Sequence, residues 1–116
     1  MGVVSNGLNV IAANMAGSAL ATHIAIGTGS TTFTSGDTAL DNEVERNLIS
    51  SSDLTSSEQI TFIADWSPVE VSGLTIKEHG TMTTGSSMLN REVLTGSLVF
   101  TGEEELQVQQ TFKFFL

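Results

Sequence analysis

Glu78 and Arg91 are the residues of this 116-residue chain whose types and spacing most invite a chemical reading. They lie in LTIKEHGTMTTGSSMLNREV, residues 74–93, a stretch that predicts a β-hairpin. Leu74, Ile76 and Met82 share one face of its first strand, and Glu78 sits among them. Leu89 and Val93 share a face of the second, and Arg91 sits between them. A carboxylate and a guanidinium thus stand where inward apolar side chains are expected. Catalysis is a poor use of such a pair, because a carboxylate beside an arginine is held ionised and is a weak general acid. Glycoside hydrolysis needs two carboxyl groups flanking one bond. Glu43 and Glu45 are available as a second, but no spacing ties either to Glu78. If residues 83–86 form a four-residue loop, Met82 faces Ser87, Gly80 faces Leu89, Glu78 faces Arg91 and Ile76 faces Val93. Opposite charges placed across two strands favour pairing. A guanidinium can also hold a carboxylate through two parallel hydrogen bonds. A slip of one residue would separate the charges and turn the apolar residues outward. The pair Glu78 and Arg91 therefore reads as a structural clamp that locks the register. Glu43 and Arg46 form a second candidate charge pair.

The remaining motifs are weaker. Gly27-Thr28-Gly29-Ser30 follows a strand, like a phosphate-cradling loop. It lacks the Gly-Lys-Ser/Thr ending of a P-loop and the third glycine of a dinucleotide fingerprint. A glycine-rich turn is the expectation. His23 and His79 are the two histidines, on different strands, and no pattern gathers them with carboxylates into a metal site. Asp37, Asp41 and Glu43 could offer oxygens to calcium but lack the ligand spacing of an EF-hand loop. No G-x-S-x-G elbow occurs among the many serines. No catalytic residue, metal ligand or cofactor is expected.

Composition narrows the field further. The formal net charge is −9, and Arg46, Lys77, Arg91 and Lys113 are the four permanent cations. Four scattered cations build no phosphate-tracking surface, so nucleic acid is not an expected partner. The chain has no cysteine and hence no disulfide framework. No apolar run approaches the roughly 18 residues of a membrane span, so no membrane partner is expected. The start, MGVVSNGLNVIAANMAG, lacks the basic region of a secretory signal. Asn6 stands where a myristoylation motif wants Ser or Thr.

Those residues need elements to hold them. Leu8, Ile11, Ala12 and Met15 follow helical spacing, predicting a short amphipathic helix over about 5–16, capped by Ser5 or Asn6 and ended by Gly17. ATHIAIGTG reads as a strand ending in glycines. A long loop follows, with turn chemistry at Ser35-Gly36-Asp37. A strand then begins at Glu43, SSSDLTSSE reads as a polar turn region, and QITFIADW alternates Ile60, Phe62, Ala64 and Trp66 on one face. Pro68 breaks that run. Glu103-Glu104-Glu105 marks a solvated turn, and LQVQQTFKFFL closes the chain with Leu106, Val108, Phe112, Phe114 and Leu116 alternating inward. About a quarter of the residues are Ser or Thr, which suits short strands and turns. The expected fold is mainly β: one antiparallel β-sandwich domain of about five to seven strands over residues 1–116, with one N-terminal helix. A strand ending on Phe114-Phe115-Leu116 is expected to be pinned, either centrally in its sheet or against another subunit. Phe112, Phe114, Phe115 and Leu116 are thus candidate interface residues.

In order and spacing, the quoted pieces resemble a family of small structural proteins of tailed phages and related viruses, of the tail and tail-fibre type. The resemblance rests on T-H-I-A-x-G-T-G at Thr22–Gly29, D-T-A-L-x-x-E-V-x-R at Asp37–Arg46, I-x-E-x-G at Ile76–Gly80 and M-L-x-R at Met88–Arg91. It departs at His79, where a small residue is usual, and at Thr81-Met82, where a more apolar pair is usual. The resemblance implies a β-sandwich virion component without enzymatic activity, partnered by copies of itself and by other virion proteins. The chain leaves no room for a fibre shaft or receptor-binding tip, so a tail, baseplate or fibre-attachment module repeated by symmetry is the expected role. A head decoration or turret protein is the alternative. A carbohydrate-binding module would want exposed aromatic rings on one sheet face. The chain has no tyrosine and a single tryptophan on an apolar face, which speaks against it.

Overall fold

The computed structural model describes residues 21–56, 59–83 and 88–113. The predicted helix over 5–16, the hairpin tip and Phe114–Leu116 lie outside those residues. The described residues hold seven strands, β1 (Ala21–Gly27), β2 (Glu43–Leu48), β3 (Ser51–Ser56), β4 (Gln59–Trp66), β5 (Thr75–Thr83), β6 (Met88–Val99) and β7 (Leu106–Lys113), with one helical turn, α1 (Pro68–Val71), between β4 and β5. They form two antiparallel sheets, ordered β2-β1-β5-β6 and β3-β4-β7. The expected antiparallel sandwich is the observed fold.

Alternation places the main core. On β4, Ile60, Phe62, Ala64 and Trp66 are buried, and they meet Leu106 and Val108 of β7 and Ile24 and Ile26 of β1 in one cluster between the sheets. Phe112 joins from the side, edge-to-face with Phe62 at 5.9 Å between ring centroids. Side chains on a strand alternate between faces, so Ala25, between two core isoleucines, must point away from the opposite sheet. It does, and packs with Leu40, Met82 and Met88 in a second apolar cluster on the outer face of the four-stranded sheet. The lid of that cluster is the loop 28–42 between β1 and β2.

Three expectations change. SSSDLTSSE reads as a turn region in the sequence, but Ser51–Ser56 forms β3: β4 supplies the ladder, and the exposed Ser51 and Ser52 leave their hydroxyls in water. Pro68 does more than break a strand. Ser67 caps α1 and exchanges side-chain and backbone hydrogen bonds with Glu70 in a capping box, and Pro68 presets the first helical φ. The third expectation concerns the C-terminal strand β7, read as pinned centrally or against another subunit. Among the described residues it lies at the edge of its sheet, and Phe112 serves the domain's own core.

The hairpin register also differs from the expected one. Glu78 lies opposite Val93 and Gly80 opposite Arg91, with Met82 opposite Met88. Relative to the expected pairing, the return strand is displaced by two residues at Glu78 and Gly80. A two-residue displacement keeps each side chain on its face, so Glu78 and Arg91 become diagonal neighbours and still meet. Ile76 does not share the surroundings of Glu78 and Met82. The register shifts at this point, from Glu78–Val93 to Ile76–Leu98, and Ile76 belongs to the core between the sheets.

Candidate functional site

Glu78 and Arg91 are both buried, with side-chain exposures of 0% and 1%. They lie under the loop 28–42 on the outer face of the sheet, the side of Ala25 and Met82, and not between the two sheets as their inward placement in the sequence suggested. Burying a carboxylate is costly unless every lone pair finds a donor. Here each oxygen accepts two. Oε1 takes the Asp41 N–H at 2.8 Å and the Arg91 Nε–H at 2.9 Å. Oε2 takes the Gly29 N–H at 2.9 Å and the Asn42 N–H at 2.8 Å.

Arg91 continues the network outward. Nη1 donates to Asp37 Oδ2 at 3.0 Å and Nη2 to the Thr31 carbonyl at 2.9 Å. The guanidinium therefore does not grip Glu78 with two parallel bonds. It splits its donors between the sheet and the loop. Asp37 is itself fixed in a small turn, where its N–H donates to the Thr34 carbonyl and its carboxylate accepts from the Thr34 N–H and hydroxyl. At the loop base, Thr28 N–H donates to the Asn42 carbonyl and the Asn42 amide donates to the Thr28 hydroxyl. From 28 to 42, the loop is sewn down by one carboxylate and one guanidinium, with Leu40 as its apolar plug.

The charge states follow. Burial pushes the Glu78 carboxyl up, but the Asn42, Arg91, Asp41 and Gly29 donors outweigh it and leave its pKa below the ordinary value of 4.5. The Glu78 carboxylate, then burial against it, sets Arg91, whose pKa is raised. Asp37 is lowered, first by the Thr34 N–H. On the opposite face, His79 meets Gln110 of β7, whose amide N–H donates to the imidazole Nδ1 and whose carbonyl accepts from Asn90. Burial lowers the His79 pKa from 6.5, against the pull of Glu92 across the strand pair.

These directions give a two-step acid response. A group held neutral by a lowered histidine pKa leaves the unfolded chain binding more protons, so its contribution is lost as pH falls below about 6.5. Glu78 has a lowered carboxyl pKa, so its contribution is intact above 4.5 and is lost as pH falls through its folded value. Thermal melts between pH 8 and 3 should show a shallow loss beginning near 6.5 and a steep one below 4.5. His79→Gln should remove the first and spare the second. A single smooth decline unaffected by that change would contradict the assignment.

The other sequence candidates separate. Glu43 and Arg46 form an exposed pair, with Arg46 Nε and Nη2 reaching the two Glu43 oxygens at 2.9 and 2.8 Å. Asp37 and Glu43 each face an arginine, and among the described residues no group of three His, Asp or Glu is gathered to hold a metal ion. His23 turns to the Thr22 hydroxyl, away from the His79–Gln110 contact. The Gly27–Ser30 turn does cradle an anion, but that anion is the chain's own Glu78. No described helix is long and apolar enough to cross a membrane.

Beside the clamp an open groove of about 520 Å³ follows β6 along Met88–Val93, with Phe33, Ser35 and Asp37 on its far wall. Sequence reasoning found the two charges but missed the loop that meets them. The available signal was the cluster of side-chain-free positions, Gly27, Gly29 and Gly80, each of which has a neighbouring atom within 2.5 Å of where a Cβ would stand.

No family model matches the chain, and no curated protein matches it.

Proposed function

We propose that this chain is a virion structural protein of a tailed virus, an assembly module at the tail, the baseplate or a fibre-attachment point. One observation carries the reading. The four segments through which the sequence resembles small tail proteins, Thr22–Gly29, Asp37–Arg46, Ile76–Gly80 and Met88–Arg91, converge on the single buried clamp of Gly29, Asp37, Glu78 and Arg91. Segments far apart in the chain that share the one task of holding a loop to a sheet suit a scaffold. The clamp has no chemistry to offer a substrate, because both Glu78 oxygens are saturated by internal donors and the side chain has no exposure. In this reading the chain is not an enzyme, needs no cofactor, and has copies of itself and neighbouring virion proteins as partners.

Gold-labelled electron microscopy of the source virus particles, with an antibody to this chain, tests the proposal. Label at the tail end is the expected result. Label spread over the head would replace the tail role with that of a decoration or turret protein. Particles without label would overturn the virion reading altogether.

A further inference from the structure

We propose that the chain carries a proton-sensitive latch between its two sheets: protonation of His79 breaks the contact with Gln110 and loosens residues 109–113 of β7, while the clamp on Glu78 stays closed. The proposal stands apart from the virion reading and rests on the direction of one chain of hydrogen bonds. That chain starts at a donor whose identity is fixed. The Thr81 backbone N–H, beside the shift in the β5–β6 register, donates to Asn90 Oδ1 at 3.0 Å. Asn90 Nδ2 then has only donors to offer, and it donates to Gln110 Oε1 at 3.0 Å. Gln110 Nε2 in turn donates to His79 Nδ1. An accepting Nδ1 carries no proton, so the neutral imidazole holds its proton on Nε2.

Protonation has no remedy within this chain of bonds. The imidazolium donates from both nitrogens, and its Nδ1–H meets the Gln110 NH2. Turning the Gln110 amide would satisfy His79 but set the Gln110 NH2 against the Asn90 NH2. Turning Asn90 as well would set that NH2 against the Thr81 N–H, which belongs to the backbone and cannot turn. Each arrangement leaves one donor facing another, and Gln110 is buried, so the mismatch is costly.

The surroundings of His79 say which contact gives way. β1 and β7 set uncharged residues, Ile26 and Gln110, against it, and β6 sets Glu92 opposite it. On its own strand, Glu78 points to the other face and is spent on Arg91. Glu92 is exposed, so an imidazolium drawn toward it gains a carboxylate and water and gives up β7. The bonds from His79 and Asn90 to Gln110 both cross between the sheets. Leu106 and Val108 hold the first half of β7 in the core, whereas Phe112 is only partly buried. Loss of the tie at Gln110 therefore loosens residues 109–113 before residues 106–108.

His23 is the other histidine, so His23→Gln leaves one imidazole to read by nitrogen NMR. In that background the neutral His79 ring should carry its proton on Nε2, and a proton on Nδ1 overturns the proposal. Adding Asn90→Asp keeps the acceptor for the Thr81 N–H but removes the donor to Gln110. The Gln110 amide should then turn, and the neutral proton should move to Nδ1 although residue 90 makes no hydrogen bond to the ring. An unmoved proton would break the relay. Gln110→Glu should raise the His79 midpoint by about one pH unit or more, because a carboxylate favours the imidazolium. Amide hydrogen exchange tests the opening itself. From about pH 8 to about pH 5, protection of residues 109–113 should fall about tenfold or more, while residues 106–108 and the Gly29, Asp41 and Asn42 amides on Glu78 hold. Equal protection at both pH values overturns the latch. So does an equal loss over β4 and the loop 28–42, which would be unfolding of the whole domain.

Discussion

Glu78→Ala should cost the domain about 3–5 kcal/mol, the usual penalty for removing one partner of a buried ion pair. Against a typical total of about 5–15 kcal/mol that is enough to bring a domain of this size near the edge of folding. The cost has two sources. The Arg91 guanidinium, with 1% side-chain exposure, keeps its charge and loses the carboxylate at 2.9 Å. The N–H groups of Gly29, Asp41 and Asn42 lose their acceptor together. Glu78→Gln fills the same space and should cost nearly as much, because its amide brings donors to face donors. The reverse change is milder. In Arg91→Met the Glu78 carboxylate keeps three backbone donors, and the loop loses only its tie through Asp37 and Thr31. Asp37→Asn, at a partly solvated position, should cost the least. Urea unfolding of the four single variants and of the Glu78/Arg91 double variant should rank the single variants in that order. It should also return a coupling of about 1–3 kcal/mol between Glu78 and Arg91. No coupling, or Arg91→Met costing more than Glu78→Ala, would mean that the carboxylate is not what holds the loop.

Part of this clamp was legible in the sequence, and the limits of that legibility are physical. Two charges at apolar positions of an alternating hairpin announce a buried pair, because a strand's period leaves them nowhere else to point. The same period says nothing about which layer covers the face. A sheet has two faces, and the one bearing Glu78, Ala25 and Met82 is closed by a loop instead of a second sheet. Leu40, an apolar residue inside a polar loop, was the trace of that cover. Register was lost for a related reason. Pairing is counted outward from a turn, and the count is broken by the shift between Thr81 and Met82 and the larger one before Leu98. No proline marks either one, and although Gly80 precedes the first and Gly96 lies inside the second, a glycine does not say how far the register moves. By contrast β4 was plain: Ile60, Phe62, Ala64 and Trp66 alternate without interruption, and all are buried. The edge strand β3 was missed because its serines and threonine are turn formers in isolation, and only β4 makes them a strand.

The loop's approach to the carboxylate is close enough that one methyl group should undo it. A Cβ on Gly29 would lie 2.5 Å from Glu78 Oε2 and 2.2 Å from the Asp41 Cβ. One on Gly27 would lie 2.6 Å from the same oxygen and 2.5 Å from the Asn42 carbonyl oxygen. Neither glycine has a positive φ, so alanine at these positions suffers no backbone strain of its own and the whole cost must come from space. The nearest obstacles are the anchored carboxylate, a backbone oxygen and the root of a side chain, and of the crowding atoms only the Asp41 Oδ2, 2.6 Å from a Gly29 Cβ, is a tip that can swing aside. Gly29→Ala and Gly27→Ala should each lose about 3 kcal/mol, the upper part of the range for overpacking a tight site. Gly36→Ala, in the same loop with nothing nearer than 3.9 Å, should stay within about 0.5 kcal/mol of the parent. The decisive comparison repeats Gly29→Ala in the Glu78→Ala background. If the carboxylate is the main obstacle, the methyl group should cost clearly less there, since part of the crowding is gone and the loop has already lost its anchor. An equal cost in both backgrounds would assign the glycine to the contact with Asp41 alone. A negligible cost in the parent chain would mean that the loop does not rest on Glu78, and the clamp would lose its lid.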